Sequence, residues 1–476
     1  MSSPLALAPL VIVVLGALLV LLLSAFLKKN GARIVFGLSL IFLISAGIAC
    51  ALLWNRGAYS FGGMLEFDRI ALFFAFLLLS ASGLVVLLAR RYVASFNLPG
   101  GEFHGLLLLA TAGLLIMISS PSLVVVFLGL EVTSISCYAL AGLNRADERS
   151  TEAAAKYFLI GSFASAFLVF GLAVLFGATG TLDIPGVVGS FSGQAGPSLL
   201  GWVGFGLVLI GFAFKIALVP FHMWAPDVYH GAPTPATAFF VLSPKAAAFC
   251  VLFRLLASPW TSVNSSSALF TAFQAVAALT IVLGTLTALR QNNVKRMFAY
   301  SSIANSGYML LALLAGDGAG LGFFLGVYLF MSLGAFGSLA ALSANGREYH
   351  ELEDFAGLGR RSPWMAGLMA VFLISLAGFP PTGGFLAKFF VFVSAVRRGL
   401  TPLVVLAVLA SLVSVYYYLR VIVAMYMREP AGEVPVDSEN GGLLFVLVLC
   451  LLGVLQLGLF PGTFLRLVRS ALPSPF

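Results

Sequence analysis

The sequence predicts an all-α polytopic membrane protein, and three observations carry that reading. Hydrophobic residues make up 61% of the 476-residue chain and charged residues only 9%, with a mean hydropathy of +1.06, whereas a soluble domain has about 25% charged residues. Windows of about 20 predominantly apolar residues, long enough to cross a bilayer core, recur along the whole chain. The basic residues fall in the short loops between those windows, richer in every second loop.

Taken in order, the spans lie near residues 5–27, 34–54, 70–89, 105–119, 122–143, 153–178 and 200–221, then near 236–257, 268–289, 298–315, 321–343, 364–396, 403–427 and 443–465. About 14 transmembrane helices are therefore expected, within one or two. The first run is about 23 residues long with no Lys or Arg ahead of it, which favours a retained helix over a cleaved signal peptide. The longest polar connections, near 179–199 and 344–363, are too short for a soluble domain, so one membrane domain over 1–476 is expected. Within it, helices 1–3 occupy 1–104, one five-helix block 105–257, a second 268–427, and a final helix 443–465.

The formal net charge of +8 does not point to nucleic acid, because the basic residues form no block. They report topology instead. Fifteen fall on one face: Lys28, Lys29, Arg33, Arg90, Arg91, Arg145, Arg149, Lys156, Arg290, Lys295, Arg296, Arg347, Arg360, Arg361 and Arg428. Seven fall on the other: Arg56, Arg69, Arg254, Arg397, Arg398, Arg466 and Arg469. The excess marks the cytoplasmic face and puts both termini on the non-cytoplasmic side. In this reading Arg290 to Arg296 is an ordinary cytoplasmic anchor. Cys50, Cys137, Cys250 and Cys450 stand singly in apolar spans, without zinc or iron-sulfur spacing. His104, His222, His230 and His350 are too scattered to predict a haem held by paired histidines. If the chain serves a redox system, its electrons travel elsewhere.

Two helices are predicted to be broken. The seventh carries Lys215 followed by Pro220, Pro226, Pro233 and Pro235, and the twelfth carries Gly378-Phe379-Pro380-Pro381-Thr382-Gly383-Gly384 ahead of Lys388. Proline removes an amide donor and clashes with the preceding turn, leaving carbonyls that must face protein or water. Interrupted helices in corresponding parts of two halves point to an inverted-repeat transporter with its site where the halves meet. Lys215 and Lys388 are 173 residues apart, and the same offset from Glu131 reaches 304, beside Asn305 and Ser306. Coincidence between two five-helix blocks is the alternative.

Glu131, Lys215, Lys245 and Lys388 lie deep in apolar runs. Each costs roughly 2.5 to 3.5 kcal/mol at a helix centre, so such residues read as functional by default. Burial disfavours the charged form of an acid and an amine alike, while their proximity favours it, so the proton's position depends on their separation. For Glu131, with Thr133 and Ser134 close by to hold water, the obvious cation is Lys215; the alternative is a static ion pair that locks two helices. Lys245 follows Pro244, which opens the local helix ladder, and reads as a relay; a snorkelling lysine is the alternative. Lys388, beside the Pro-Pro and Gly-Gly break, has the same two readings. His222, Asp227 and His230 share the loop 221–233, either a proton entrance or only a capped turn. Tyr300, Ser301 and Ser302 begin a helix whose polar side could line water. Two unit charges about 4 Å apart interact by roughly 4 kcal/mol at an effective dielectric of 20. A charge crossing the membrane field needs about 2.3 kcal/mol per 100 mV. Opening one ion pair is thus enough, in scale, to move one proton uphill.

The string Val219-Pro220-Phe221-His222-Met223-Trp224-Ala225-Pro226-Asp227-Val228-Tyr229-His230-Gly231-Ala232-Pro233 resembles the signature of the antiporter-like membrane subunits of respiratory complex I, the bacterial NADH-quinone oxidoreductase. The strings from Asn293 to Ala304 and from Gly378 to Phe389 carry the same resemblance, in the same order. It implies fourteen core helices in two inverted five-helix repeats, helices 7 and 12 broken, and a polar axis along the midplane. By resemblance Glu131, Lys215, Lys245 and Lys388 are the proton-transfer residues. A sister branch typically has glutamate at the position of Lys388, and the larger sisters carry a histidine in the eleventh helix that this chain lacks, which leaves the exit residues unassigned. The long lateral helix of the largest sister is missing too. The resemblance also implies no cofactor in this chain, with flavin, iron-sulfur clusters and the quinone site in partner subunits. The expected partners are the other complex I membrane subunits, through them the peripheral redox arm, and the lipid bilayer of a bacterial inner membrane. A multisubunit cation/proton antiporter, a related oxidoreductase with another electron donor, and a purely structural subunit are the competing functions.

Overall fold

The computed structural model describes residues 4–27, 31–55, 60–61, 63–192, 198–262, 268–344, 346–430 and 441–472. Lys28, Lys29 and Arg56, counted above for topology, lie outside the described residues. In chain order the helices are α1 (Ala8–Phe26), α2 (Gly31–Leu53), α3 (Arg69–Ser95), α4 (Gly100–Ser119), α5 (Leu123–Ala141), α6 (Glu148–Thr179), α7 (Ile184–Ser192), α8 (Leu199–Lys215), α9 (Trp224–Gly231) and α10 (Thr234–Ser262). They continue with α11 (Ala268–Leu289), α12 (Val294–Ala315), α13 (Gly318–Ala341), α14 (Leu358–Arg361), α15 (Pro363–Ala377), α16 (Gly383–Arg397), α17 (Thr401–Met427), α18 (Gly441–Leu459) and α19 (Gly462–Ala471). Two-residue antiparallel hairpins pair Ser60–Phe61 with Leu65–Glu66 and Ser343–Ala344 with Arg347–Glu348.

Twelve of these helices are long and apolar enough to cross a membrane, and shorter apolar helices at α8 and α15 stand where the broken spans were expected. A run of three long helices, a broken one and another long one occurs twice, as α4 to α10 and as α11 to α17. Polar residues set the helix starts. Asp147, Asn293 and Asp317 each accept a backbone N–H in the first turn of α6, α12 and α13, satisfying donors that have no partner within the helix.

The chain divides into two compact units. The first comprises residues 1–83, 99–224 and 243–271, and the second 84–98, 225–242 and 272–476. In the first, α4 and α5 meet through glycines: a Cβ built on Gly113 or Gly129 would lie 2.6 Å from the other's carbonyl oxygen. Between membrane-spanning helices, where no hydrophobic gain drives association, such close backbone approach supplies the packing. Arg254 forks onto both carboxylate oxygens of Asp68 (3.0 and 2.5 Å), tying α10 to the start of α3. In the second unit α12 and α13 are 94% buried over their apolar windows; α13 is apolar nearly all round, as a buried helix is, whereas α12 also buries a polar side.

The structure corrects three expectations. The seventh span does not continue to residue 221: α8 stops at Lys215, where Ala217 adopts the left-handed conformation (φ 56°) and Leu218 N–H closes the turn onto Ala213 O at 2.9 Å. The segment 221–233 is not simply a loop, because residues 224–231 form α9. Arg290 to Arg296 is more than an anchor, since Lys295 is fully buried and Arg296 is ion-paired to Asp227 at 2.8 Å.

Candidate proton-transfer sites

Each unit contains a buried lysine beside a helix break. In the first unit, Lys215 is the last residue of α8 and only 2% exposed. Its position is favourable for a cation, because the unpaired carbonyls at a helix C-terminus carry partial negative charge. Nζ donates to Ser134 Oγ at 2.9 Å and sits 5.7 Å from the centre of the Tyr157 ring. Trp224 stacks on that ring at 4.5 Å, and its Nε1–H donates (3.1 Å) to the Phe214 carbonyl, which also accepts from Ala217 N–H (3.0 Å). Ser134 belongs to α5, one turn beyond Glu131, so the two share a helix face.

The direct Glu131–Lys215 contact expected from sequence is replaced by two serines. Half-buried Glu131 accepts a 2.5 Å bond from Ser165 Oγ on α6, and Lys215 turns to Ser134. Ser134, Ser165 and Lys215 line one cavity of about 10 Å³, on the order of the space one water needs. The cavity thus lies beside the ammonium and beside both serines, of which Ser165 holds the carboxylate and Ser134 the ammonium. Lys245, also in the first unit's share of α10, is 1% exposed, and the helix runs through Pro244 without interruption.

In the second unit the break lies at Gly378–Thr382, between α15 and α16. Gly378 has φ 89°, and a Cβ there would meet the Lys388 side chain at 3.1 Å; glycine is needed both for the turn and for the approach of the lysine. Gly384 lets α16 pass so near α15 that an added Cβ would lie 1.8 Å from Ser375 O. Lys388 is six residues into α16 and 5% exposed. Its Nζ reaches back across the break to Leu376 O (3.1 Å) and Ala377 O (3.0 Å), and donates to Ser411 Oγ on α17 (2.9 Å). The two lysines therefore lie on opposite sides of their breaks. The 173-residue offset matches the side chains, whereas the residue that ends its helix as Lys215 does is Ala377.

Of the three residues suggested for a proton entrance, His222 is half-buried ahead of α9. Asp227 and His230 are half-buried on α9, with Asp227 engaged by Arg296. The polar side expected after Tyr300 is present in the second unit: Ser301 pairs with Tyr418 Oη, and Asn305 donates to Ser301 O at 2.9 Å.

Sequence reasoning missed a second polar cluster in that unit. Lys295, 0% exposed, donates to Ala232 O (2.7 Å) and to Glu348 (2.9 Å). Glu348 also accepts from Tyr92 Oη (2.5 Å) and Thr234 Oγ1 (2.5 Å), with His350 Nδ1 at 3.5 Å. Burial alone would raise the Glu348 carboxyl, but Lys295, His350 and the hydrogen-bond donors hold it down to about 2. Among the described residues no group of three or more His, Cys, Asp or Glu is placed to hold a metal ion.

Residues 120–414 match the family model described as NADH:quinone oxidoreductase/Mrp antiporter, transmembrane. The chain is 41% identical to the NADH-quinone oxidoreductase subunit N of Trichlorobacter lovleyi, over 96% of this chain and 94% of the relative. It is 40% identical to subunit N 1 of Solibacter usitatus, over 97% and 95%. Among solved structures it is similar to a chain of respiratory complex I from Thermus thermophilus with bound aureothin, at TM-score 0.83 and 36% identity, covering 96% of this chain and 98% of that one. It is also similar to a chain of the Mrp complex from a Dietzia species, at TM-score 0.85, 98% of this chain and 97% of that one, where 21% identity speaks to fold alone. With broken helices, buried lysines and near full-length similarity together, the chain belongs to the NADH:quinone oxidoreductase/Mrp antiporter transmembrane family, within its subunit N branch.

Proposed function

We propose that the chain is the proton-translocating subunit N of a bacterial NADH-quinone oxidoreductase, coupling quinone reduction elsewhere in the complex to proton transfer through its own buried residues. The observation that carries this is the pair of broken helices, each with a lysine removed from water and held only by neutral groups. A proton enters from the cytoplasmic side and charges Lys215 as the hydroxyl bridge to Glu131 rearranges. It then passes by Lys245 and leaves through Lys388. One water in the cavity beside Ser134 and Ser165 would complete the link between carboxylate and ammonium. His222 and His230 serve the entrance better than Asp227, whose charge is already matched by Arg296.

In this reading the two five-helix runs are inverted repeats, both termini face the non-cytoplasmic side of the inner membrane, and flavin, iron-sulfur clusters and quinone are held by partner subunits. The test is proton pumping per NADH oxidised in membranes that carry Lys215→Ala or Lys388→Ala. Assembled complex with most of its pumping through this subunit lost is expected; wild-type stoichiometry in assembled complex would reject the lysine role.

A further inference from the structure

We propose that the cavity bounded by the start of α13, the C-terminal half of α16 and α19 binds the headgroup of an anionic phospholipid of the phosphatidylglycerol class. All its walls lie in the second unit, and its volume is about 270 Å³, close to the lower end for small-ligand pockets and suited to a headgroup rather than a whole lipid. Phe464 of α19 fixes that wall: it packs against Phe323 of α13 at 5.8 Å, over Gly326, where a Cβ would collide with its ring at 2.3 Å.

The charge pattern selects the ligand. Asp317 is 5% exposed, and its carboxylate accepts from Gly320 N (2.8 Å) and Ser394 Oγ (2.5 Å). Arg397, at the end of α16, and Arg469, on α19, are exposed at the cavity. Among the described residues neither guanidinium has a hydrogen bond or ion pair. Two guanidinium groups against one carboxylate leave a net charge of +1, the complement of a single phosphodiester, which arginine can grip with two parallel hydrogen bonds. Below the charges the lining turns apolar. Phe389 and Phe390 face the cavity, and Phe389 is 48% exposed and stacked on Phe385, a surface for the first segments of acyl chains. A soluble anion would have no use for it. α19 is an amphipathic helix of ten residues with arginines on its exposed side, the arrangement that lies along a membrane interface beside lipid phosphates.

The test uses the assembled, purified complex in mixed micelles with a photoreactive phosphatidylglycerol. Cross-links should concentrate in the peptides that contain Phe389 to Arg397 and Leu465 to Arg469. Unlabelled phosphatidylglycerol should compete, and phosphatidylcholine should not. Arg397→Gln and Arg469→Gln should each lower retention about fivefold, the scale of one basic residue against an anionic lipid, whereas Arg466→Gln, on the same helix and bonded to Thr463, should label like wild type. Equal competition by phosphatidylcholine would overturn the proposal. So would displacement by inorganic phosphate, which would mark a soluble-anion site, or absence of label from the assembled complex, which would mean a neighbouring chain covers the cavity. If an arginine variant fails to assemble, competition on the wild-type complex still decides.

Discussion

Lys388 and Lys295 are both withdrawn from water in the second unit, yet their surroundings make them opposites. Lys388 has three hydrogen-bond acceptors, two backbone carbonyls and one serine, all neutral. Lys295 has a carboxylate, and Glu348 is itself fastened by Tyr92 and Thr234. A neutral cage stabilises an ammonium without fixing it, since loss of the proton leaves no stranded opposite charge. A carboxylate partner does the reverse: deprotonating Lys295 would leave the part-buried Glu348 carboxylate, 20% exposed, without its cation. Burial alone therefore does not mark a proton carrier. In the proposed function the partner decides, and Lys215, held by Ser134 beside an aromatic ring, falls with Lys388.

The largest test of that contrast substitutes each lysine with methionine. Lys295→Met should deplete assembled complex, because it leaves Glu348 unpaired and breaking such a pair costs about 3 to 5 kcal/mol. Adding Glu348→Leu should recover much of the loss. Lys388→Met, by contrast, should assemble near wild-type levels and fail in proton transfer. Native gels of membranes measure the first property. Equal abundance of the two single variants would break the comparison.

Acid should act on the same difference. An ordinary glutamate ionises near 4.3, whereas Glu348 is held to about 2 by Lys295 and His350 against the effect of burial. A carboxyl depressed in the folded state adds stability above its unfolded pKa, and that stability fades as pH falls through the window from about 4.3 to about 2. The gap corresponds to roughly 3 kcal/mol. Loss of intact complex between those pH values should be steeper for wild type than for Glu348→Gln, which starts less stable at neutral pH. Parallel curves would show that the carboxylate is not the anchor.

The contrast also explains what could be read without coordinates. The spans and both breaks were legible because bilayer length and proline or glycine act locally: Pro220 and the Gly378 to Pro381 run announced the breaks, although α8 already ends at Lys215 and α10 passes through Pro244 intact. The burial of Lys215, Lys245 and Lys388 was legible because a charge inside an apolar run is conspicuous. Lys295 was not, since it sits one residue into α12 among Arg290, Arg296 and Asn293, where any loop anchor would sit. Its partner lies 53 residues away on a two-residue strand, and no local pattern links them. The same limit hid Ser165 and Ser411, ordinary small polar residues until α6 and α17 bring them to a charge. It also led to a direct Glu131–Lys215 pair, because opposite charges suggest contact and an intervening hydroxyl leaves no trace in spacing.

Within the neutral-cage class, a smaller difference separates the two breaks. Lys215 donates one hydrogen bond to a side chain, Ser134, whereas Lys388 keeps both carbonyls of α15 when Ser411 is removed. Hydrogen bonds to charged groups contribute about 1.5 to 3 kcal/mol, so Ser134→Ala should slow proton translocation by about tenfold or more, and Ser411→Ala by less than about threefold. Similar effects from the two, measured as pumping rate per assembled complex, would remove the distinction.

The smallest expected effect concerns how each helix stops. Both α8 and α15 end in a left-handed turn closed by a bond to the fifth residue back, Leu218 N to Ala213 O at 2.9 Å and Phe379 N to Ile374 O at 3.2 Å. The left-handed residue is Ala217 in one and Gly378 in the other. A side chain in that conformation costs about 1 to 2 kcal/mol, partly offset by the freedom glycine would gain in the unfolded chain. Ala217→Gly should therefore leave the melting midpoint of the purified complex unchanged or raise it slightly. Gly378→Ala should lower it, because the new Cβ would add the same strain and press on Lys388 at 3.1 Å. A drop from Ala217→Gly would mean that the alanine methyl, fully buried behind Lys215, contributes more by packing than it costs in backbone strain.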